Sequence, residues 1–508
     1  MAKEKRFTKK ERSWIMYDWA NSIYATNIMA AIYPTIFASS FEGGDIIWGY
    51  GTSIATFLVA ILAPFLGAIA DHKGMKKKLF TIFALVGILF TPLMAFFGNL
   101  KLCMIGYVVS RLGFSGSCLF YDSFLTDVTT DDRMDRVSSW GYAMGYIGGS
   151  TIPFVISIGM LLLFNYSHFA QVFSVLIVSA WWLVFSIPFL KNVKQEHYID
   201  EKNAFSPVQI VKNVVGTFKE ICSHKAILFF IIAYFFYIDG VDTVISISTA
   251  YGATLGLGTT GMILALLVTQ IVAVPCSIIF ARLSEKFSAR KALMGAVAVY
   301  IVICIVGFIM GYTVEPDQAA YKSMLKDAAS PYETQINAIE DGAYAAFLDK
   351  AEDAFKGEDS ENAYEAIKVF ETESDEAAAI GSEFKAAVLA HVNENIQVVD
   401  EFRHSLSVST IMFWSMACLV GTVQGGIQAV SRSYFGKIVP KERSNEFFGF
   451  FDIFGKFSCV IGPALYSVIA GATGFSCYGV LALIVLFLCG LVTLILARKH
   501  LDGAVAIQ

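Results

Sequence analysis

The sequence predicts an all-α membrane protein, with twelve transmembrane helices in two pseudo-symmetric six-helix halves and an extracytoplasmic helical insertion. Three observations carry that reading. Of 508 residues, 56% are hydrophobic and 16% charged, with a mean hydropathy of +0.59; in soluble domains about a quarter of residues are charged. Twelve apolar runs near the ~20 residues needed to cross a bilayer lie at about 14–38, 47–70, 79–99, 102–126, 138–164, 168–190, 225–250, 258–281, 291–312, 406–434, 447–471 and 475–497. The basic stretch Gly67–Lys78 returns in weaker form 214 positions later, so that Asp71 answers Glu285, Gly74 answers Ser288 and Lys76 answers Arg290. A second echo, at an offset of 310, sets Asp131-Asp132-Arg133 against Lys441-Glu442-Arg443 and Pro153 against Pro463.

The division that follows is 1–190 for the first half, 191–224 for a linker, 225–312 with 406–508 for the second half, and 313–405 for the insertion. Residues 1–13 alone hold Lys3, Lys5, Arg6, Lys9, Lys10 and Arg12, whereas the outside loops, apart from the insertion, hold only Lys101. That bias places both termini in the cytoplasm, with a cell membrane as the expected location. The first run is too long for a secretory leader and carries Asp18 and Asn21 near its start, so it is expected to remain as helix 1.

On that helix Trp14, Asp18, Asn21 and Ala25 share one face. Asp18 reads either as an interfacial anchor paired with a nearby Lys or Arg, or as a transport group. After the second run, Asp71 precedes Gly74 and a cationic cluster. An acid there can satisfy orphan donors at a neighbouring helix N-terminus and so latch two helices; in the plainer reading, Lys73, Lys76, Lys77 and Lys78 only enforce topology. The candidate latch residues are Gly67, Asp71, Gly74, Lys76, Glu285, Arg290 and Arg432.

Arg111 lies deep in the fourth run, with Asp122 and Asp127 following toward the inside; a cation at that depth needs a partner or a wet cavity. The fifth run contains Gly141, Gly145, Gly148 and Gly149, a spacing that permits close helix packing. The linker is polar and lysine-bearing. The seventh run places Tyr234, Tyr237, Asp239, Gly240, Asp242 and Thr243 at its middle, the deepest acidic pair of the chain. Residues 313–405 hold 21 acidic and 7 basic side chains, with amphipathic helical spacing and breaks expected near Ser330-Pro331 and Gly357. In the eleventh run Asp452 and Lys456 stand four apart and can neutralise each other.

The last runs are dense in small and polar residues: Gly425-Gly426, Gln428, Ser431-Arg432-Ser433, Pro440, Arg443, the segment Glu446 to Asp452, Gly455-Lys456 and Gly462-Pro463. With Tyr17-Asp18-Trp19-Ala20-Asn21-Ser22 in helix 1, Ser138-Ser139-Trp140-Gly141-Tyr142 opening helix 5 and Tyr237-Ile238-Asp239-Gly240 in helix 7, the chain resembles the vacuole-effluxer-like branch of the major facilitator superfamily, over both halves. It departs from that pattern at Asp122, where Asn is expected, at Thr126, where Pro is usual, and in the insertion. The resemblance implies a twelve-helix carrier whose fungal relatives export amino acids from the vacuole, with helices 1, 4, 7 and 10 lining a central cavity. The candidate substrate or proton residues are then Asp18, Asn21, Arg111, Asp122, Asp239, Asp242, Gln428 and Lys456. A cation and an acid facing one cavity would suit a zwitterion.

Nothing in the sequence points to catalysis. The nine cysteines and seven histidines are scattered, without ligand spacing for a metal, and no phosphate-cradling Gly-Lys-Ser/Thr motif occurs. No cofactor, metal or nucleic-acid partner is expected. Three classes stay open: a secondary transporter of small polar solutes such as amino acids, exporting and using protons; a lysolipid or amphiphile flippase of the same fold; and a receptor or scaffold that meets an unknown partner through the insertion. The first fits the residues best.

Overall fold

The chain, seen here as a computed structural model, is described over residues 6–41, 44–200, 207–357, 360–371 and 374–504. Its described residues are helical, joined by turns, with one isolated bridge between His72 and Ile199. In the first half the helices are α1 (Lys9–Ile23), α2 (Ile32–Ser40), α3 (Gly44–Ala70), α4 (Met75–Phe90), α5 (Leu100–Ser123), α6 (Leu125–Val128), α7 (Met134–Met144), α8 (Ile152–Leu163) and α9 (His168–Asn192). The linker carries α10 (Pro207–Ser223). The second half has α11 (Lys225–Thr254), α12 (Thr259–Phe287) and α13 (Ala289–Ala329); the insertion adds α14 (Glu333–Ile339), α15 (Ala343–Phe355), α16 (Ser360–Glu365) and α17 (Asp375–Glu394). The chain closes with α18 (Ile396–Ile438), α19 (Ser444–Thr473), α20 (Ser476–Ala482), α21 (Ile484–Leu496) and α22 (Arg498–Ala504).

Among the described residues, eleven helical stretches are long and apolar enough to cross a membrane. The twelfth crossing is α1, a π-helical turn at Tyr24–Ala30, and α2 in succession. Its buried Asp18, Asn21 and Asn27 make it the least apolar. Thr8 and Glu11 start it with a reciprocal capping box, which satisfies two orphan donors at the helix end. α7, a π-helical turn at Gly145–Thr151 and α8 make the fifth crossing. That turn packs closely on α1: a Cβ at Gly148 would lie 1.8 Å from the Trp19 ring, and one at Gly149 2.2 Å from Ser22. The glycines therefore serve helix contact.

The insertion is continuous with the spans on either side of it. Helix α13 runs unbroken through 313 and through Pro316, and α18 passes 405 in the same way. At 1.5 Å per residue α13 extends about 60 Å, twice the thickness of a hydrocarbon core. Packing at the bilayer exit offsets the hydrogen bond that Pro316 removes. The Glu315 carboxylate accepts from Cys477 N at 3.2 Å, Gln318 donates to Thr254 O at 3.0 Å, and Tyr321 stacks on Phe402 at 4.7 Å. Helix α13 ends at a 3-10 turn over Ser330–Tyr332, and Phe347, Phe355, Tyr364 and Phe384 form the aromatic centre of the small domain beyond it. We call this domain the cap, and the opposite face of the bundle, where α1 begins and α22 ends, the terminal end.

Candidate functional site

The polar contacts between the halves cluster toward the terminal end, in three tiers. The outermost tier is built on Asp71, just past the end of α3. Its carboxylate accepts from Asn445 N at 2.9 Å, Asn445 Nδ2 at 2.7 Å and Glu446 N at 3.0 Å, so it caps the first turn of α19. An anion there satisfies orphan donors and meets the positive end of the helix dipole. Gly67 allows the approach, since a Cβ would lie 2.4 Å from Asn445 O. Gly74 holds a left-handed φ of 74° as α4 begins. From that helix Lys76 reaches Asp127 at 2.7 Å and Ser444 Oγ at 3.1 Å, with both charged side chains fully buried. Asp127 also accepts from the backbone N–H groups of Glu196 at 3.0 Å and His197 at 2.8 Å, which straps the start of the linker onto the first half. Lys441 pairs with Asp131 at 2.9 Å.

The second tier is Asp135. Buried at the start of α7, it accepts from Ser433 Oγ at 2.6 Å, Lys437 Nζ at 2.6 Å and Ser284 Oγ at 2.7 Å, thereby joining α7 to α12 and α18.

The third tier is Arg432 on α18. It donates to Asp122 Oδ1 at 2.9 Å, Asp18 Oδ2 at 3.3 Å, Ser138 Oγ at 3.0 Å and Ser138 O at 3.1 Å. Its guanidinium lies over the rings of Tyr142 at 4.5 Å, Trp14 at 4.7 Å and Tyr121 at 5.4 Å, where cation–π attraction adds to the ion pairs. Tyr121 donates to the same Asp18 oxygen at 2.7 Å.

On Arg432 rests a cavity of about 190 Å³, lined by Asp122 and Tyr142 from the first half and by Tyr234, Ile238, Asp242, Gln428 and Phe451 from the second. Two carboxylates from opposite halves thus face one small space. Asp452, paired with Lys456 on α19, stands within electrostatic range of Asp122.

The sequence candidates divide accordingly. Asp18, Asp122 and Arg432 meet at the floor, while Asp242 and Gln428 line the cavity. Asp18 does not take a neighbouring cation at the membrane edge; its partner is 414 positions away. Asn21 is buried and donates to Cys118 Sγ at 3.4 Å. Arg111 lies beside Tyr107, halfway along α5 and outside the cavity lining. Asp239 is enclosed between α11 and α19, where Oδ1 accepts from Gly462 N at 2.9 Å and Thr243 Oγ1 at 3.4 Å; Oδ2 is buried without a hydrogen-bond partner. Glu285 is exposed, and its neighbour Ser284 makes the buried contact with Asp135. Arg290 pairs with Asp502 of α22 at 2.8 Å, within the second half. Asp135, Tyr121, Ser444 and Asn445 were not singled out by the sequence reading. The 310-residue echo could have found Asp135, because it is the counterpart of Asn445.

A twelve-helix bundle with an acidic cavity between its halves is the architecture of a major facilitator superfamily transporter, and three comparisons agree. Over 97% of its length the chain superposes on a bacterial homologue of the iron transporter ferroportin in an outward-facing state, covering 98% of that chain, with a TM-score of 0.57 at 13% identity. It also matches the Escherichia coli fucose:proton symporter, with a TM-score of 0.54, 12% identity and 97% of each chain covered. At such identities the likeness concerns the fold. The family model for vacuole effluxer Atg22-like proteins matches residues 47–318 and 409–500, and the chain belongs to that family. An uncharacterized MFS-type transporter of Bacillus subtilis (strain 168), YxiO, is 36% identical over 99% of this chain and 98% of its own. An uncharacterized protein of Aquifex aeolicus (strain VF5) is 26% identical over 28% of this chain and 36% of its own.

Proposed function

We propose that this multi-pass transporter moves small polar solutes of the amino-acid class by alternating access, exporting them across the cell membrane in exchange for protons. The observation that carries the reading is the cavity: its walls come from both halves, so a solute held there touches both and follows their rocking. Its volume is below the roughly 300–1,000 Å³ of drug-sized sites, in keeping with a small solute. Asp122 and Asp242 would receive the ammonium group, with Tyr142, Tyr234 and Phe451 offering ring faces; Gln428 and Lys456 would meet the carboxylate end. Asp239, sealed from the cavity and with one oxygen unpartnered, suits a proton site rather than a solute contact. Lysine placement in the sequence puts the termini in the cytoplasm and the cap outside. The polar tiers then close the cytoplasmic side, and Arg432 is the floor of an outward-directed site.

The test is counterflow of labelled amino acids into proteoliposomes, for wild type, Asp242→Asn and Asp122→Asn. Loss of a charge-assisted contact worth about 1.5–3 kcal/mol should lower apparent affinity for the amine-bearing solute more than tenfold. If both carboxamides bind and exchange it as wild type does, the cavity is not the site. A proton gradient that drives no net flux would remove the coupling while leaving the site intact.

A further inference from the structure

Helix α10 presents three distinct faces around its circumference. Thr217 and Ile221 are buried, with Ile210 and Val214 half-buried beside them, so this stripe is the packed side. The next stripe is apolar yet exposed: Val208 at 64%, Val211 at 50%, and Val215 and Phe218 at 49% each. These positions recur every three or four residues and therefore form one continuous line along the helix. Lys212 and Lys219, seven apart and both exposed, flank that line on its far side. Beyond them the surface turns polar with Gln209 and Asn213.

A water-facing helix at the edge of a bundle does not keep an 11-residue apolar line bordered by lysines. A helix lying in a bilayer interface does, because its apolar line enters the acyl boundary and its lysines reach the phosphates. The position agrees: α10 packs against α3, α11 and α19 at the terminal end, where these crossings leave the membrane. Its buried face also touches the inter-half joint. Thr217 Oγ1 donates to Glu446 Oε2 at 2.6 Å, and Glu220 pairs with Arg443. Glu446 is one of the two residues whose backbone Asp71 caps.

We infer that α10 is an interfacial lipid-binding helix, its Val208–Phe218 line buried in the leaflet at the terminal end and its two lysines on anionic headgroups, and that it ties this leaflet to the first turn of α19. Each lysine near an anionic surface contributes about fivefold to such binding.

The full-length protein, with a benzophenone side chain replacing residue 211, 215, 209 or 213, is illuminated in phosphatidylcholine vesicles with or without phosphatidylglycerol, and adducts are read by mass spectrometry. Lipid adducts at 211 and 215 but not at 209 or 213 are expected. The yield should rise severalfold with phosphatidylglycerol in wild type and fail to rise in Lys212→Ala/Lys219→Ala. Equal lipid labelling at all four positions, or none, overturns the inference. Adducts to a second copy of the chain would show that the line is a protein interface instead. A yield indifferent to phosphatidylglycerol would overturn the anionic part. Because no variant touches the joint or the cavity, binding and folding are checked in the same samples by thermal unfolding.

Discussion

Replacing Asp71 with alanine should shift the protein between conformations without unfolding it. The carboxylate caps the first turn of α19 through three N–H donors from two residues, and it does so only when the halves are together at the terminal end. A side-chain cap is worth about 0.5–2 kcal/mol, and an anion at a helix N-terminus adds about 0.3–1 kcal/mol or more when partly buried. Opening the joint exposes the donors to water, so the loss of about 1–3 kcal/mol falls on the closed state and should raise the open-to-closed ratio about 5- to 150-fold. Asp71→Asn keeps an acceptor oxygen and loses the charge, so about a fivefold change is expected. The assay is the distance between nitroxides on Asp132 and Lys286, exposed positions in opposite halves, measured by double electron–electron resonance in nanodiscs. An unchanged distribution in the alanine variant would refute the capping argument. A large fall in unfolding temperature with no new distance would place Asp71 among the supports of the first half instead.

Arg432→Ala removes one partner from a buried ion pair, for which about 3–5 kcal/mol is typical; the unfolding temperature should drop, and adding Asp18→Asn should recover part of the loss by relieving two facing carboxylates. No recovery would mean that Asp18 and Asp122 do not oppose each other. Gly462→Ala would place a methyl 2.0 Å from Thr243 Oγ1 and 2.7 Å from Asp239 Oδ1, costing about 1–3 kcal/mol by overpacking, and Thr243→Ala should restore stability if that clash is the cause. For Asp127, burial works to raise the carboxyl, but the Lys76 ammonium and the bonds from His197 outweigh it and hold the group below its ordinary value. Its contribution is therefore complete above the ordinary carboxylate value of about 3.9 and lost as pH falls through the lowered one. Pepsin should nick residues 193–200 at a constant low rate near pH 5 and faster well below pH 4, with Lys76→Met moving that onset upward; rapid nicking already at pH 5 would deny the strap.

The crossings were readable because run length and hydropathy are local properties. The Asp452–Lys456 pair was readable for the same reason, since four residues on a helix fix the neighbour. Depth was readable too, which is why Asp239 and Asp242 stood out. Which of them faces the cavity was not, because residues three apart lie only about 60° from each other around a helix, and that small turn sets Asp239 against Gly462 of α19 and Asp242 in the cavity wall. The partner of Asp18 was out of reach for a stronger reason: nothing local distinguishes Arg432 from other cations 414 positions away. The enclosed Oδ2 of Asp239 depends on Gly462 lying close enough to donate its N–H, a contact made by two helices and written in neither.

The repeat, however, explains the pairing at the joint. Asp122 with Arg432 and Asp131 with Lys441 are both separated by 310 positions, the offset that relates the halves, so each residue meets its own counterpart across the pseudo-two-fold axis. Two identical charged residues there would repel, so the copies had to diverge to opposite charge. Off the axis, contacts come in related couples. Ser123 bonds Asn445 and Ser433 bonds Asp135, which is the same contact made twice with an amide in one half and an acid in the other. This accounts for the exposed Glu285. Asp71 can cap α19 because Asn445 presents donors to it; the counterpart of Asn445 is Asp135, and an acid at Glu285 directed there would face another acid. The second half instead sets Ser284 against Asp135.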